Sequence, residues 1–268
     1  MILNTPIVTA VILNTNAARD TLRCVAALRA QTIADQLEII VIENHSEDDS
    51  LGLLDNTLRG VPNVRIVETV GNHGYGHGYN TGMRYARGRY VLVNNPVKIL
   101  PSDGIERFVA RLESDPSIGL VAPQLRHPDG SLRFVARRYP RPIDLITKRT
   151  ALGRWFPKRL RRYLNLDADP KQVRDVEWVA CGCYMLPRSL FMDLRGFDER
   201  FFLFFEDADL CRRVRLAGYR VVYDPTVSGN DRKRRLSEGG LGTLLFTRFG
   251  RAHIHSAFRY FAKWGMNP

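Results

Sequence analysis

Short apolar runs, separated by stretches with helical periodicity, fill the first part of this 268-residue chain. "IVTAVILN" (7 to 14), "LEIIVIEN" (37 to 44), "NVRIVET" (63 to 69) and "RYVLVNN" (89 to 95) read as strands. Between the first two, "ARDTLRCVAALRAQ" (18 to 31) places Leu22, Val25, Ala26 and Leu28 at helical spacing, and "DDSLGLLDNTLRG" has a helix-like pattern. Strands that are apolar on both faces must be covered on both faces. Alternation with helices supplies that cover and makes the sheet mostly parallel. The expected class is therefore α/β, a Rossmann-like sheet with helices on both faces. Ligands of such sheets collect outside the carboxyl ends of the strands.

Those ends are polar here: Asn14-Thr15-Asn16, then Glu43-Asn44-His45-Ser46, then Asn94-Asn95. Turn chemistry alone accounts for any one of them; three on one rim point to a binding site. "GNHGYGHGYNTG" (71 to 82) follows a strand and opens a helix, but its G-x-G-x-G spacing is not that of a dinucleotide fingerprint. Its glycines still let backbone N–H groups approach a phosphate or sugar.

Further along, a helix (about 103 to 115), a strand "IGLVAP" and a Pro-Asp-Gly hairpin signal lead into a basic segment. Between Leu132 and Arg162 eleven Lys or Arg face one acid, Asp144, so most of the formal charge of +12 is concentrated there. Interleaved aromatics such as Phe134, Tyr139 and Trp155 suit nucleic acid, an anionic membrane surface or a phosphorylated substrate. "VEWVACGCYMLP" (176 to 187) returns to strand character, "RSLFMDLRG" is a short helix, and "DADLCRRVRLAGYRVVYDP" is a helix closed by Gly218 with a strand after it. The tail carries Phe246, Phe249, Ile254, Phe258 and Phe261 near helical spacing with basic residues between them. Such a helix either packs on the domain or lies on a membrane. The expected organisation is one domain over residues 1–225, with the basic insert at about 132–165, and a basic loop and amphipathic tail over 226–268.

The apolar runs fall short of the roughly 20 residues that span a bilayer, and the first residues read as a strand rather than a leader. A cytoplasmic protein is expected. Cys24, Cys181, Cys183 and Cys211 contain no C-x-x-C pair and are expected as free thiols.

"FFLFFEDADLCRR" (201 to 213) sets Glu206, Asp207 and Asp209 directly behind five residues that are aromatic or leucine. Acids in a first helical turn are favoured by the macrodipole. That does not explain three together behind an apolar wall, because burying like charges is costly unless a cation or a reacting proton compensates. The cluster is a candidate site.

The ordered set "VILNTN", "EIIVIENHSEDDS", "GNHGYGHGYNTGMRYARGRYVLVNNP", "VACGCYMLPRSLFMDLRGFDERFFLFFEDADLCRRVRLAGYRVVYDP" and "IHSAFRYFAKWG" resembles the family 2 glycosyltransferases, in particular bacterial rhamnosyltransferase-like members, from about residue 7 to residue 264. The resemblance implies a GT-A fold and an inverting transfer of a sugar, rhamnose among the choices, from a nucleotide-diphosphate donor linked to dTDP or UDP. The implied acceptor is a saccharide or lipid-linked saccharide of cell-surface polysaccharide synthesis. Such an enzyme would be cytoplasmic or peripheral on the inner face of the plasma membrane. No nucleic-acid partner is expected.

By the same resemblance, Thr15 and Asn16 border the nucleotide, Glu43 contacts its base or ribose, and Asn44 and Ser46 shape that rim. Gly74, Gly78, Asn80 and Asn95 flank the nucleotide sugar. Asp207 corresponds to the general base, with Glu206 and Asp209 in support. A carboxylate whose pKa is raised by its neighbours suits removal of a proton from an attacking hydroxyl.

Two positions depart from the family. Relatives read Asn-Pro-Asp with a metal-binding acid and carry a His shortly after the strand matching "YRVVYDP"; here Pro96 precedes Val97, and "TVSGNDRKRR" has no His. A Mg2+ or Mn2+ ion, expected from the family, thus lacks its usual ligands, and the metal residues stay unassigned. Arg232 and Arg234 in that run are an alternative source of positive charge for the diphosphate. Metal-independent chemistry and a non-catalytic, sugar-nucleotide-binding homologue are the alternatives; a nucleic-acid-binding protein is a more distant one.

Overall fold

The computed structural model describes residues 5–150, 152–231 and 246–266. In chain order the elements begin β1 (Val8–Asn14), α1 (Ala18–Arg29), β2 (Leu37–Glu43), α2 (Ser50–Leu58), β3 (Val64–Glu68), α3 (Tyr75–Met83), β4 (Tyr90–Asn94) and β5 (Lys98–Ile99). They continue with α4 (Gly104–Ser114), β6 (Ile118–Arg126), β7 (Leu132–Arg133), β8 (Ala136–Arg137), α5 (Pro142–Arg149), α6 (Leu152–Trp155) and α7 (Pro157–Tyr163). The rest are β9 (Arg174–Asp175), β10 (Trp178–Val179), β11 (Cys183–Pro187), α8 (Arg188–Asp193), α9 (Glu206–Leu216), β12 (Arg220–Asp231) and α10 (Arg248–Trp264).

The main sheet has the order β3-β2-β1-β4-β11-β6-β12-β5. β1 pairs in parallel with both β2 and β4, so their carboxyl ends share one rim. β11 runs antiparallel to β4 and sets Cys183 opposite Asn94, which brings the turn before β11 to that rim as well. Two-residue periodicity divides each central strand between two cores. Val11, Ile40 and Ile42 pack with Tyr79 and Met83 of α3 and with Leu210 and Val214 of α9. Ala10, Ile12, Ile39 and Val41 pack with Val25 of α1, Leu54 of α2 and Phe108 of α4. Helices therefore cover both faces, as the doubly apolar strands require.

Several boundaries differ from the sequence reading for identifiable reasons. In α1 the buried face uses Cys24 with Val25 and Leu28, while Ala26 is exposed. α3 starts at Tyr75, because Gly74 takes φ +104° and turns the chain into the helix. The 176 to 187 run is broken at Gly182, φ +58°, into β10 and β11. β12 runs on past residue 225, where the first unit was expected to end, through a register shift between Asp224 and Ser228. The basic segment is not one extended surface but folds into α5, α6 and α7, which pack on one another.

The tail helix docks with Phe261 of the expected stripe together with residues outside it. Tyr260 and Ser256 are fully buried and Phe261 and Trp264 pack on the core, whereas Phe258 and Phe246 stand 75% and 82% exposed. No helix among the described residues is long and apolar enough to cross a membrane. All four cysteines are free and buried.

Candidate functional site

The "FFLFF" run reaches α9 through two consecutive left-handed residues, Phe204 at φ +71° and Phe205 at φ +67°. Bulky residues rarely adopt that conformation and do so where surrounding contacts impose it. Here Tyr75 N–H donates to the Phe202 carbonyl at 2.7 Å, clamping the turn to the start of α3. A side chain at Gly74 would collide with the Phe202 backbone, so glycine is needed for the approach as well as for φ. His253 of α10 lies 5.1 Å and 5.2 Å from the Phe204 and Phe205 ring centres and backs the turn from the other side. The sharp bend points the first turn of α9 at the carboxyl rim of β1 and β4.

A cavity of about 770 Å³ opens there. Leu13, Thr15, Asn16, Asn44 and Asn72 form one wall, and Gly74, Phe202, Phe204, Glu206 and Asp207 another. Lys98, Arg133, Arg137, Lys148 and Arg248 also line it, so five cationic side chains face two acidic ones. Three of the five come from the basic segment and its flanks. That segment is thus partly turned inward, an arrangement suited to a phosphorylated small molecule.

Asp207 Oδ1 accepts a 2.8 Å hydrogen bond from Tyr184 Oη, and the carboxylate also accepts from the Gly182 backbone N–H. Burial pushes its pKa up to about 6, against the opposing pull of those two donors and of the Arg133 and Lys98 cations. Glu206 is buried beside it, and its Oε2 has no hydrogen-bond partner among the described residues. Burial, then the charges of Asp207 and Asp209, drive the Glu206 carboxyl well above the usual carboxylate range. Burial thus disfavours the charged form of both neighbouring acids, and the donors and cations around Asp207 oppose its shift.

The third acid sits elsewhere. Asp209 is fully buried, accepts from Arg213 Nε at 2.8 Å and Trp264 Nε1 at 2.9 Å, and pairs with Lys263 Nζ at 2.6 Å. It does not line the cavity; it ties α9 to α10. A residue two positions on from Asp207 projects to another side of the helix, so Asp209, expected in support of Asp207, turns away from the cavity.

The rim residues divide in the same way. Thr15, Asn16, Asn44, Gly74 and Asn95 line the cavity. Glu43 and Ser46 lie just behind it. Glu43 accepts from Ser46 N–H at 3.0 Å, and Ser46 Oγ accepts from Asn16 N–H at 3.0 Å, an arrangement that shapes the loop. Gly78 packs against Leu13, where a side chain would clash. Asn80 donates to the Phe197 carbonyl and to Glu199, and accepts from Phe197 N–H, pinning the 197 to 199 turn to α3. Arg232 and Arg234 lie outside the described residues.

Sequence reasoning missed Tyr184, Lys98 and Arg133. Tyr184 sits in an apolar strand where any aromatic reads as core. Lys98 follows Pro96 in what reads as a loop. Arg133 was one basic residue among eleven, and the only available signal was its place next to the Pro-Asp-Gly hairpin.

A mostly parallel sheet with a charged cavity on the carboxyl rim and a buried carboxylate pair in its wall defines a GT-A type of sugar-nucleotide fold. The chain matches the glycosyl transferase family 2 model over residues 9–192 and belongs to that family; it is a glycosyltransferase. It is 28% identical over 243 residues to the N-acetylglucosaminyl-diphospho-decaprenol L-rhamnosyltransferase of Mycobacterium tuberculosis, covering 85% of this chain and 77% of that one. It is 29% identical over 206 residues to rhamnosyltransferase WbbL of Escherichia coli K12, covering 72% of each.

Among solved structures, the mannosyltransferase PcManGT of Pyrobaculum calidifontis, in complex with GDP-Man and Mn2+, superposes with a TM-score of 0.64 at 21% identity. The match covers 98% of this chain and 66% of that one. GalNAc-T7 with UDP, GalNAc and Mn2+ gives 0.70 at 16% identity, over 97% of this chain and 48% of that one. These two likenesses bear on the fold.

Both solved neighbours hold Mn2+. The described residues of this cavity do not fit such an ion. Val97, at the position where the resemblance implies an acid, offers no ligand, and the side chain that follows, Lys98, is a buried cation whose Nζ lies 2.5 Å from Asp231 Oδ1. Among the described residues no three His, Cys, Asp or Glu side chains converge as metal ligands do.

Proposed function

We propose that this chain transfers a sugar, rhamnose in the first instance, from a dTDP- or UDP-linked donor to a saccharide or lipid-linked saccharide acceptor with inversion at the anomeric carbon. The observation that carries the reading is Asp207: a carboxylate on the cavity wall, oriented by Tyr184 and Gly182, with a pKa pushed up toward neutrality. The nucleotide lies on the Thr15, Asn16 and Asn44 wall, and the diphosphate faces the cationic floor. As the acceptor oxygen bonds to the anomeric carbon, the bond from that carbon to the diphosphate oxygen breaks. Its electron pair leaves with the nucleoside diphosphate. Asp207 takes the hydroxyl proton as the new bond forms. Burial favours the neutral form of Glu206, which lessens the repulsion on the charge of Asp207.

The rhamnosyltransferase names of two relatives support the choice of sugar, and the lipid-linked substrate named for one supports the acceptor class. Exposed Trp155 and Phe156 beside the basic helices α6 and α7, with Phe246 and Phe258 on the tail, suit a peripheral position at an anionic inner membrane face.

A donor screen tests the reading: thermal shift with dTDP-rhamnose and UDP- and GDP-sugars, followed by transfer to a polyprenyl-diphosphate saccharide. One donor should raise the melting temperature and be consumed only when an acceptor hydroxyl is supplied. No stabilisation by any sugar nucleotide would overturn it.

A further inference from the structure

β5 and β12 pair antiparallel with Lys98 directly opposite Asp231. Lys98 is 6% exposed at its side chain and Asp231 is fully buried, and the other oxygen of Asp231 pairs with the Arg133 guanidinium, itself 9% exposed. A buried ammonium is costly unless compensated, and Asp231 compensates it. Two cations share that one carboxylate, so the trio itself keeps a net positive charge.

Its location is fixed from below. Asn94 donates to the Lys98 carbonyl at 3.2 Å, Lys98 N–H donates to the Asn95 carbonyl at 2.9 Å, and Asn95 N–H donates to Gly182 at 2.7 Å, the residue that also donates to Asp207. Lys98 and Arg133 line the cavity together with Asp207. Both also act on Asp207 electrostatically, favouring its charged form. A fixed positive charge therefore sits in the floor, one residue from where the family acid would stand and within electrostatic reach of the proposed base.

Resting on the donor reading above, we propose that Lys98 and Arg133, held by Asp231, supply the positive charge that binds the donor diphosphate and stabilises it as it leaves, so that nucleoside diphosphate binding needs no divalent cation. Lys acts as a compact point charge and Arg as a planar fork, and both are established phosphate binders. Preorganised cations aimed at a leaving group serve the electrostatic function that a bound ion otherwise serves. Asp231 fixes their geometry without cancelling them.

Calorimetric titration of the full chain with dTDP, UDP and GDP in excess EDTA, repeated in excess Mn2+ or Mg2+, tests this. One nucleoside diphosphate should bind in EDTA, with a Kd that metal changes by less than about threefold. Lys98→Met and Arg133→Met should each weaken that diphosphate by about tenfold or more, with little effect on the matching nucleoside. Because Lys98→Met removes one of the two cations that face buried Asp231, the balanced double variant Lys98→Met with Asp231→Asn is measured alongside, with circular dichroism as the check on folding. Diphosphate binding that vanishes in EDTA and returns with Mn2+ would overturn the proposal while leaving the donor reading intact. So would folded variants that bind as the wild type does. Absence of nucleoside diphosphate binding in both buffers would overturn the donor reading and this proposal with it.

Discussion

Tyr184, in the strand that runs antiparallel to β4, donates a 2.8 Å hydrogen bond to Asp207 in the first turn of α9. The phenol favours the charged carboxylate and so holds its pKa below what burial alone would set. A base works deprotonated, so the rate falls as pH drops through its pKa. In Tyr184→Phe the acidic limb of the pH profile should move up by about half a unit to one unit, with the high-pH plateau reduced only a few-fold. Rate profiles of the two proteins between pH 4 and 9 provide the check.

Glu206 gives a stability signature of opposite dependence. Its folded pKa lies well above 4.5, so the fold prefers the protonated form. That contribution is complete below the unfolded pKa and is lost as pH rises through the folded value. Glu206→Gln imitates the neutral acid. Its melting temperature should match the wild type near pH 4 and exceed it at pH 8 by a few degrees, on a scale of about 2–4 °C per kcal/mol for a chain of this size. A variant less stable than wild type at pH 8 would contradict the assignment.

Asp209 separates structure from chemistry. Asp209→Ala takes the buried carboxylate from Arg213 and leaves Lys263 with Asp198 alone, and removal of one partner from a buried ion pair costs about 3–5 kcal/mol. Urea denaturation should show a loss of that order. Nucleoside diphosphate affinity of the folded variant should stay within a few-fold of wild type, because Asp209 does not line the cavity.

Gly74 links the nucleotide wall to the acidic turn. Gly74→Ala meets both a φ of +104° and the Phe202 backbone, so the turn that aims α9 must shift. We expect a loss of about 1–3 kcal/mol in stability and a larger proportional loss in transfer than in nucleotide affinity. Equilibrium unfolding and steady-state kinetics on the same preparation measure both.

Much of this fold is legible in the sequence because its cause is local. Runs such as "LEIIVI" carry apolar residues on both faces and read as interior strands, and Asn14, Glu43 and Asn94 at their ends mark the rim. The site is legible in part, because "FFLFFED" is costly without a purpose. What escapes is long-range. Tyr184 reaches Asp207 across 23 residues of sequence and Lys98 meets Asp231 across 133. Only sheet topology makes either pair neighbours. The Asp209 anchor escapes for the same reason, since its partners Lys263 and Trp264 come from the far end of the chain.

The central claim is that Asp207 removes the acceptor proton. Asp207→Asn keeps the shape and still accepts from Tyr184, but it cannot act as a base at any accessible pH. Turnover of donor and acceptor should fall by about 10²–10⁴-fold, while the nucleoside diphosphate Kd stays within a few-fold of wild type. Transfer by Asp207→Asn at an undiminished rate would contradict the account.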